Sequence, residues 1–252
     1  MILDLNTLLT LFLVYLRVFA FLIFVPVFGT GFLPNTVKAF LGSAIGLSLF
    51  FYQRVEPIKF DTTVEFFIYC FNEFLLGFVA GLLLRFVLDA VFMAGELMSV
   101  NMGLGLATLF LPQQPQTTIL GLYFSLMATI IFINIGGLHI VYLALLKSLQ
   151  SVPPGSFKLY SLDGHAILKL FYASFSLALK VAIPLVLSML IFNITLAVIN
   201  RLIPQMNVFI VGLPFQLFLG FLVLLIALPV IVMVITSHMK EYIINFTRFL
   251  GG

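Results

Sequence analysis

The feature that most constrains this sequence is a run of 50 consecutive residues, Leu97–Leu146, that contains no Asp, Glu, Lys or Arg. Over all 252 residues, 8% are charged and 63% are hydrophobic, whereas soluble domains carry about 25% charged and about 45–50% apolar residues. So few charges cannot cover the surface of a water-soluble domain. The composition therefore predicts a polytopic membrane protein and excludes a disordered chain, which would be rich in charge and poor in aromatic residues.

Six apolar stretches are candidates for membrane-spanning helices, because roughly 20 helical residues cross a hydrocarbon core of about 30 Å. They are Leu5–Phe28, Val37–Phe51, Phe66–Val100, Ile119–Leu146, Leu170–Asn200 and Phe215–Ser237. The second is short for a span. The third would measure about 52 Å as one straight helix, so it must tilt, break near Gly95 or leave the membrane. We expect an all-α polytopic membrane protein of about six long, partly broken helices.

A polar segment at residues 147–169 is the best candidate for an internal boundary. It contains Pro153-Pro154-Gly155 and Asp163-Gly164-His165, which are turn-forming combinations. The residues that follow have the pattern of a helical hairpin with its turn at Arg201–Pro214. We expect a single integral membrane unit, residues 1–252, with an internal boundary in this segment.

Several charged side chains lie within the apolar stretches, where an ionised group costs roughly 2.5–3.5 kcal/mol. They are Arg17, Glu73, Arg85, Asp89, Glu96 and Lys180. On one helix Arg85, Asp89 and Glu96 fall within about 40° of each other, and the first two have the i, i+4 spacing of an ion pair. We interpret these charges as a polar stripe between subunits. A self-contained small-molecule or ion transporter, which also uses intramembrane charges, is the alternative.

The segment Asn101–Thr118 contains Gly, Pro and Gln residues typical of turns but no charge. Apolar residues on irregular backbone at membrane depth are tolerated where they are buried in protein or line a cavity, and a hydrophobic constriction can close a pore by excluding water. We therefore treat the segment as a candidate conduit or plug loop, with packing against a neighbour as the alternative. Its candidate residues are Met102, Gly103, Gly105, Leu109, Phe110, Leu111 and Pro112.

The sequence contains no recognisable catalytic motif. His139, His165 and His238 have no partner at metal-ligand spacing, and Cys70 is the single cysteine. No nucleophile elbow or phosphate-binding loop is present. The basic residues behind the net charge of +3 are scattered, which does not predict a nucleic-acid surface. We expect a protein that is not an enzyme, holds no cofactor and binds no nucleic acid.

Five short patterns follow one another along almost the whole chain. They are Leu16–Phe21 with Pro26–Gly29 and Leu33-Pro34; Asn72–Gly77 with Gly81; Ala94–Ser99 with Met102-Gly103; Gly136–His139 continuing to Pro153–Gly155; and Arg201–Pro214. In this order the chain resembles the FliR family of flagellar export-apparatus membrane proteins, whose virulence-associated, SctT-like counterparts serve type III secretion. The last pattern is the most specific, and its Pro-Gln-Met-Asn-Val-Phe form is closer to the flagellar members.

The resemblance implies a non-enzymatic subunit of the flagellar type III protein export gate, required for flagellum assembly. One copy would join several copies of the P and Q subunits in a helical assembly whose conduit passes unfolded flagellar proteins. Residues 1–165 would pack like a P subunit and the hairpin in 166–252 like a Q subunit. The complex would lie in the bacterial inner membrane at the flagellar basal body, in contact with lipid, the basal-body ring and an FlhB-type switch protein. The hairpin-turn residues near the entrance would be Arg201, Pro204, Gln205, Asn207 and Phe209.

Overall fold

The structure is a computed structural model that describes residues 4–25, 34–105, 117–157, 163–203 and 208–251. Its described helices are α1 (Leu5–Phe24), α2 (Asn35–Gln53), α3 (Thr63–Asn101), α4 (Ile119–Asn134), α5 (Gly137–Ser151), α6 (Gly164–Leu202) and α7 (Val208–Gly251). The described residues include no β-strand. The predicted all-α fold of long, partly broken helices is therefore confirmed.

The third apolar stretch forms one unbroken helix, α3, of 39 residues. Gly95 does not break it. A Cβ atom at this position would lie 2.6 Å from the carbonyl oxygen of Leu120 in α4, a distance that real Cβ atoms do not reach. The glycine is therefore explained by the close approach of two helix backbones, and of the three alternatives for this stretch the break near Gly95 does not occur.

The fourth apolar stretch, predicted as Ile119–Leu146, forms two helices instead of one. Gly136 separates α4 from α5 and has φ of +80°, a left-handed conformation that glycine adopts without steric cost. A continuous α-helix cannot pass through this backbone conformation. The second helix then continues to Ser151, beyond the predicted end.

Among the described residues, four helices are long and apolar enough to cross a membrane: α1, α3, α6 and the Gly212–Leu250 part of α7. The broken pair α4 and α5 would add a fifth if it formed one span. The second predicted stretch, now α2, is not in this group. It has polar residues near both ends of its 19-residue helix, which shortens the apolar centre.

The helices form two compact units. Unit 1 comprises residues 1–86, 136–172 and 241–252, and unit 2 comprises residues 87–135 and 173–240. Fully buried side chains in the first include Leu13, Val18 and Phe21, and those in the second include Met98 and Phe124. The predicted sub-parts 1–165 and 166–252 describe a likeness to other subunits and remain a prediction.

Candidate functional site: a buried ion pair and two anchored chain segments

Arg17 of α1 and Glu73 of α3 form a buried ion pair in unit 1. The Nε atom of Arg17 donates to Oε2 of Glu73 at 2.5 Å, and both side chains are 0% exposed. Removing either ion alone from water would cost much free energy, and the attraction between the two opposite charges compensates for part of that cost. Because both are enclosed by this chain, their contact is intramolecular, which corrects the expectation that these two residues face another subunit.

The same pair fixes the end of α5 and the turn that follows. Nη1 of Arg17 donates to the carbonyl oxygens of Ser148 at 3.0 Å and Val152 at 2.8 Å. The carbonyl oxygen of Ser148 also accepts from the backbone N–H of Val152 at 3.0 Å. The last carbonyls of a helix carry partial negative charge, so the guanidinium interacts favourably with the end of α5. Oε1 of Glu73 accepts from the backbone N–H of Gly155 at 2.9 Å. Two charges thus join α1, α3 and α5.

Glycines bring α1 and α3 into backbone contact beside this ion pair. A Cβ at Gly77 would lie 2.2 Å from the carbonyl oxygen of Arg17, and one at Gly81 would lie 2.7 Å from that of Phe21. Both distances are too short for any side chain. The Gly-x-x-x-Gly spacing therefore serves a close helix crossing, as such spacings do in membrane helices.

In unit 2, Glu96 of α3 binds the first turn of α4. Its Oε1 accepts from both the backbone N–H and the hydroxyl of Thr118, each at 2.9 Å. The Thr118 hydroxyl oxygen in turn accepts from the N–H of Gly121 at 3.1 Å. A negative charge at a helix N-terminus is favourable because unpaired N–H groups point at it. Glu96 thus anchors the chain where it re-enters helix at α4.

The chain is also anchored where it leaves α3, at residues 101–103. Nε2 of Gln216 in α7 donates to the carbonyl oxygen of Asn101 at 2.6 Å. Met102 is fully buried, and its side chain fills the space where a Cβ of Gly220 would stand, 2.6 Å away. Gly103 has φ of +81°, which turns the chain out of the helix. Unit 2 therefore holds the chain on either side of residues 106–116.

The remaining members of the predicted polar stripe occupy separate places. Arg85 is exposed and Asp89 is half-buried, one turn apart on α3, and their predicted pairing stays a prediction. Lys180 is exposed on α6, where its Nζ lies 2.9 Å from Nε2 of His238 in α7. The structure therefore brings Arg17 together with Glu73, and gives Glu96 and Lys180 different partners.

The structure describes part of the candidate loop and part of the candidate hairpin turn. In the loop, Met102 and Gly103 are placed as above and Gly105 is half-buried. In the turn, Arg201 is exposed at the end of α6 and Phe209 belongs to the first turn of α7. The predicted residues that lie outside the described residues are Leu109, Phe110, Leu111, Pro112, Pro204, Gln205 and Asn207.

These arrangements hold helices together. Within the described ranges, no group of three or more His, Cys, Asp or Glu residues could hold a metal ion. Both carboxylates discussed here accept hydrogen bonds from groups that α-helices leave unpaired or from a buried cation. These contacts therefore act in helix packing.

Sequence reasoning missed most partners of the singled-out charges. Ser148, Val152 and Gly155 act mainly through backbone atoms, which side-chain identity does not encode. The one sequence feature that pointed to this region was the pattern from Gly136–His139 to Pro153–Gly155. Gln216 could have been noticed as a lone carboxamide in the apolar stretch of α7, where an amide without a partner would be costly.

Comparison with known proteins assigns a family to almost the whole chain. Residues 8–242 match the family described as bacterial export proteins, family 1. The flagellar biosynthetic protein FliR of Aquifex aeolicus is 41% identical over 243 residues, which cover 96% of this chain and 94% of that protein. The FliR of Bacillus subtilis is 27% identical, with 89% and 88% covered. The secretion system apparatus protein SsaT of Salmonella typhimurium is 30% identical over 163 residues, 63% of this chain and 62% of that protein.

The match therefore spans both compact units and includes the Arg17–Glu73 ion pair and the anchors described above. Identity of 41% along nearly the full length of both chains exceeds what a shared apolar composition gives. The chain belongs to the bacterial export proteins, family 1.

Proposed function

We propose that this chain is a structural subunit of the flagellar type III protein export gate. The observation that carries the proposal is the full-length identity of 41% with a flagellar biosynthetic protein FliR. The similarity to a secretion system apparatus protein supports the broader assignment to type III export. The geometry agrees, because Arg17, Glu73 and Glu96 stabilise the packing of helices within this chain.

We infer that its partners are the other membrane subunits of the gate. One copy of this chain joins several copies of the P and Q subunits, in contact with an FlhB-type switch protein and the basal-body ring. Residues 1–165 pack like a P subunit and residues 166–252 like a Q subunit. Support comes from the exposed surface: within the chain, only 17% and 22% of the residues in the most apolar windows of α6 and α7 are buried. Lipid or other subunits must cover the remaining apolar surface.

The location follows from the same proposal. Four described helices, or up to five spans with the broken pair, are suited to a membrane by length and composition. We place the chain in the bacterial inner membrane at the flagellar basal body. Helices of 39 residues, such as α3 and α6, exceed the thickness of one hydrocarbon core, as expected of a subunit packed partly against protein.

The uncharged segment after α3 is proposed to contribute to the conduit for unfolded flagellar proteins. Residues 106–116 lie outside the described residues, and the support comes from their flanks. Gln216 holds the chain before the segment and Glu96 holds it afterwards. Fixed flanks suit a segment that has to stay in place while a polypeptide passes.

Three of the six charges that motivated the transporter alternative have structural partners within the chain. Arg17 and Glu73 are enclosed and paired, and Glu96 binds the start of α4. A transporter of small molecules or ions would need such groups to be accessible to substrate. We therefore do not propose it.

Co-expression tests the proposal. The chain with an affinity tag is produced alone and together with the P and Q subunits of the same organism, and both preparations are compared by size-exclusion chromatography in mild detergent. The proposal predicts one stable complex with the partners and a poorly behaved chain alone. A monodisperse, stable monomer that binds neither the P nor the Q subunit would contradict it.

The alternative is tested in parallel. Liposomes that contain this chain only are assayed for ion and small-molecule flux, with Asp89→Asn as the variant that a transporter would not tolerate. The export proposal predicts no flux from either protein. Flux that Asp89→Asn abolishes would establish the transporter instead.

A further inference from the structure

The apolar part of α6 between two exposed cations has the length of one membrane crossing. Lys180 and Arg201 enclose residues 181–200, which contain no charged residue. Twenty helical residues rise about 30 Å, the thickness of a hydrocarbon core. Lys180 therefore stands at the end of a span, where a membrane interface begins, although the sequence pattern had placed it within the longer stretch Leu170–Asn200.

An exposed apolar face of α6 runs away from Lys180 along this segment. Ile183, Leu187, Ile191 and Ile194 follow at intervals of three or four residues, and their side chains are 46%, 52%, 65% and 57% exposed. Residues at this spacing lie on one face of a helix. Lys180 thus stands where the uncharged part of this face begins, and on its other side Phe175 and Leu179 are also exposed, by 50% and 41%.

His238 holds the Lys180 ammonium group in place. The Nδ1 atom of His238 lies 3.0 Å from the carbonyl oxygen of Val234, and a carbonyl oxygen only accepts, so Nδ1 carries the proton. The lone pair of Nε2 is then directed at Lys180 Nζ, 2.9 Å away. The ammonium group has three N–H bonds and this contact uses one. Within the part of the chain that the structure describes, no carboxylate contacts Lys180.

We propose that Lys180, positioned by His238, binds the phosphate of an anionic phospholipid whose acyl chains lie along the exposed apolar face of α6. The charge is complementary, the two remaining N–H bonds suit phosphate oxygens, and the cation stands at headgroup depth. A lysine beside an apolar face also has a side chain long enough to reach the interface. This proposal stands apart from the export role, since it needs no partner subunit.

Native mass spectrometry of the full-length protein in mild detergent tests the site. The protein is titrated with phosphatidylglycerol or phosphatidylcholine, which carry comparable acyl chains but differ in net charge. We expect preferential retention of phosphatidylglycerol, and a loss of about fivefold in its retention for Lys180→Gln, the effect of one lysine near an anionic surface. Lys180→Arg should keep the retention, because it keeps the charge.

Lys169→Gln is the matched control. Lys169 is an exposed lysine on the same helix, 11 residues before Lys180, and its removal should leave retention of phosphatidylglycerol unchanged. Circular dichroism verifies that each variant is folded. Equal retention of the two lipids, or unchanged phosphatidylglycerol retention in Lys180→Gln, would overturn the proposal. Loss of a co-purifying protein from Lys180→Gln with unchanged lipid retention would overturn it in favour of a carboxylate on another subunit.

Discussion

Glu73→Gln removes one negative charge from the interior of unit 1 and hardly changes the shape of the side chain. The amide oxygen of glutamine still accepts from the Gly155 N–H. Its NH₂ group, however, replaces the carboxylate oxygen that stands 2.5 Å from Arg17 Nε, so a donor meets a donor. The guanidinium, 0% exposed, keeps its positive charge and has no counter-ion.

The expected cost is about 3 kcal/mol in the free energy of unfolding. Removing one partner of a buried ion pair costs roughly 3–5 kcal/mol. The lower end applies because Nη1 of Arg17 keeps its bonds to the carbonyls of Ser148 and Val152. Since the total stability of a protein is about 5–15 kcal/mol, a fifth or more of it depends on this carboxylate.

Unfolding by sodium dodecyl sulfate in mixed micelles, followed by circular dichroism, measures the effect. Glu56→Gln makes the same chemical change at an exposed glutamate in the α2–α3 connection and should leave the unfolding curve unchanged. Arg17→Met completes a double-mutant cycle. In that background Glu73→Gln should cost less than about 1 kcal/mol, because the cation that needed the carboxylate is gone.

Equal costs of Glu73→Gln in the presence and absence of Arg17 would refute the reasoning. Such additivity would mean that the two side chains do not stabilise each other. A cost below about 1 kcal/mol with Arg17 present would also contradict burial of the pair, since exposed pairs contribute that little.

Three further changes follow from the described contacts. Gly77→Ala should destabilise the chain by at least about 3 kcal/mol, the upper end for overpacking, whereas Gly164→Ala, where a Cβ would meet open space, should be neutral in the same unfolding assay. Glu96→Ala should cost about 1–3 kcal/mol and speed hydrogen exchange in the first turn of α4; unchanged exchange there would exclude the anchor. Gln216→Leu should cost about 1 kcal/mol and speed exchange at the end of α3, with the exposed Gln150→Leu as the unaffected control.

The helices could be predicted from the sequence because their signal is local. Runs of apolar residues without charge indicate the helices of a membrane protein. At least one observed end of each of α1, α2 and α6 lies within a few residues of the predicted end. The helix breaks could not be predicted, because the residue type alone does not tell which structural role a glycine has. Gly95 and Gly136 have the same side chain, but the first serves a close helix approach and the second a left-handed turn.

The candidate site could be predicted only in part, because its contacts are long-range. Arg17 and Glu73 were singled out because each is a charged residue in an apolar stretch, a criterion that considers one residue at a time. Their pairing joins positions 56 residues apart and depends on backbone carbonyls at the end of α5. A contact between residues so far apart in the sequence cannot be predicted from helical spacing. Lys180 and His238, 58 residues apart, were missed as a pair for the same reason.

Subunit counting in complexes purified from native membranes tests the central claim most directly. The chain is tagged at its chromosomal locus, the complex is extracted in mild detergent, and native mass spectrometry gives its composition. We predict one copy of this chain together with several copies of the P and Q subunits. Recovery of the chain alone, or as a complex of identical copies without other export-apparatus subunits, would contradict the account.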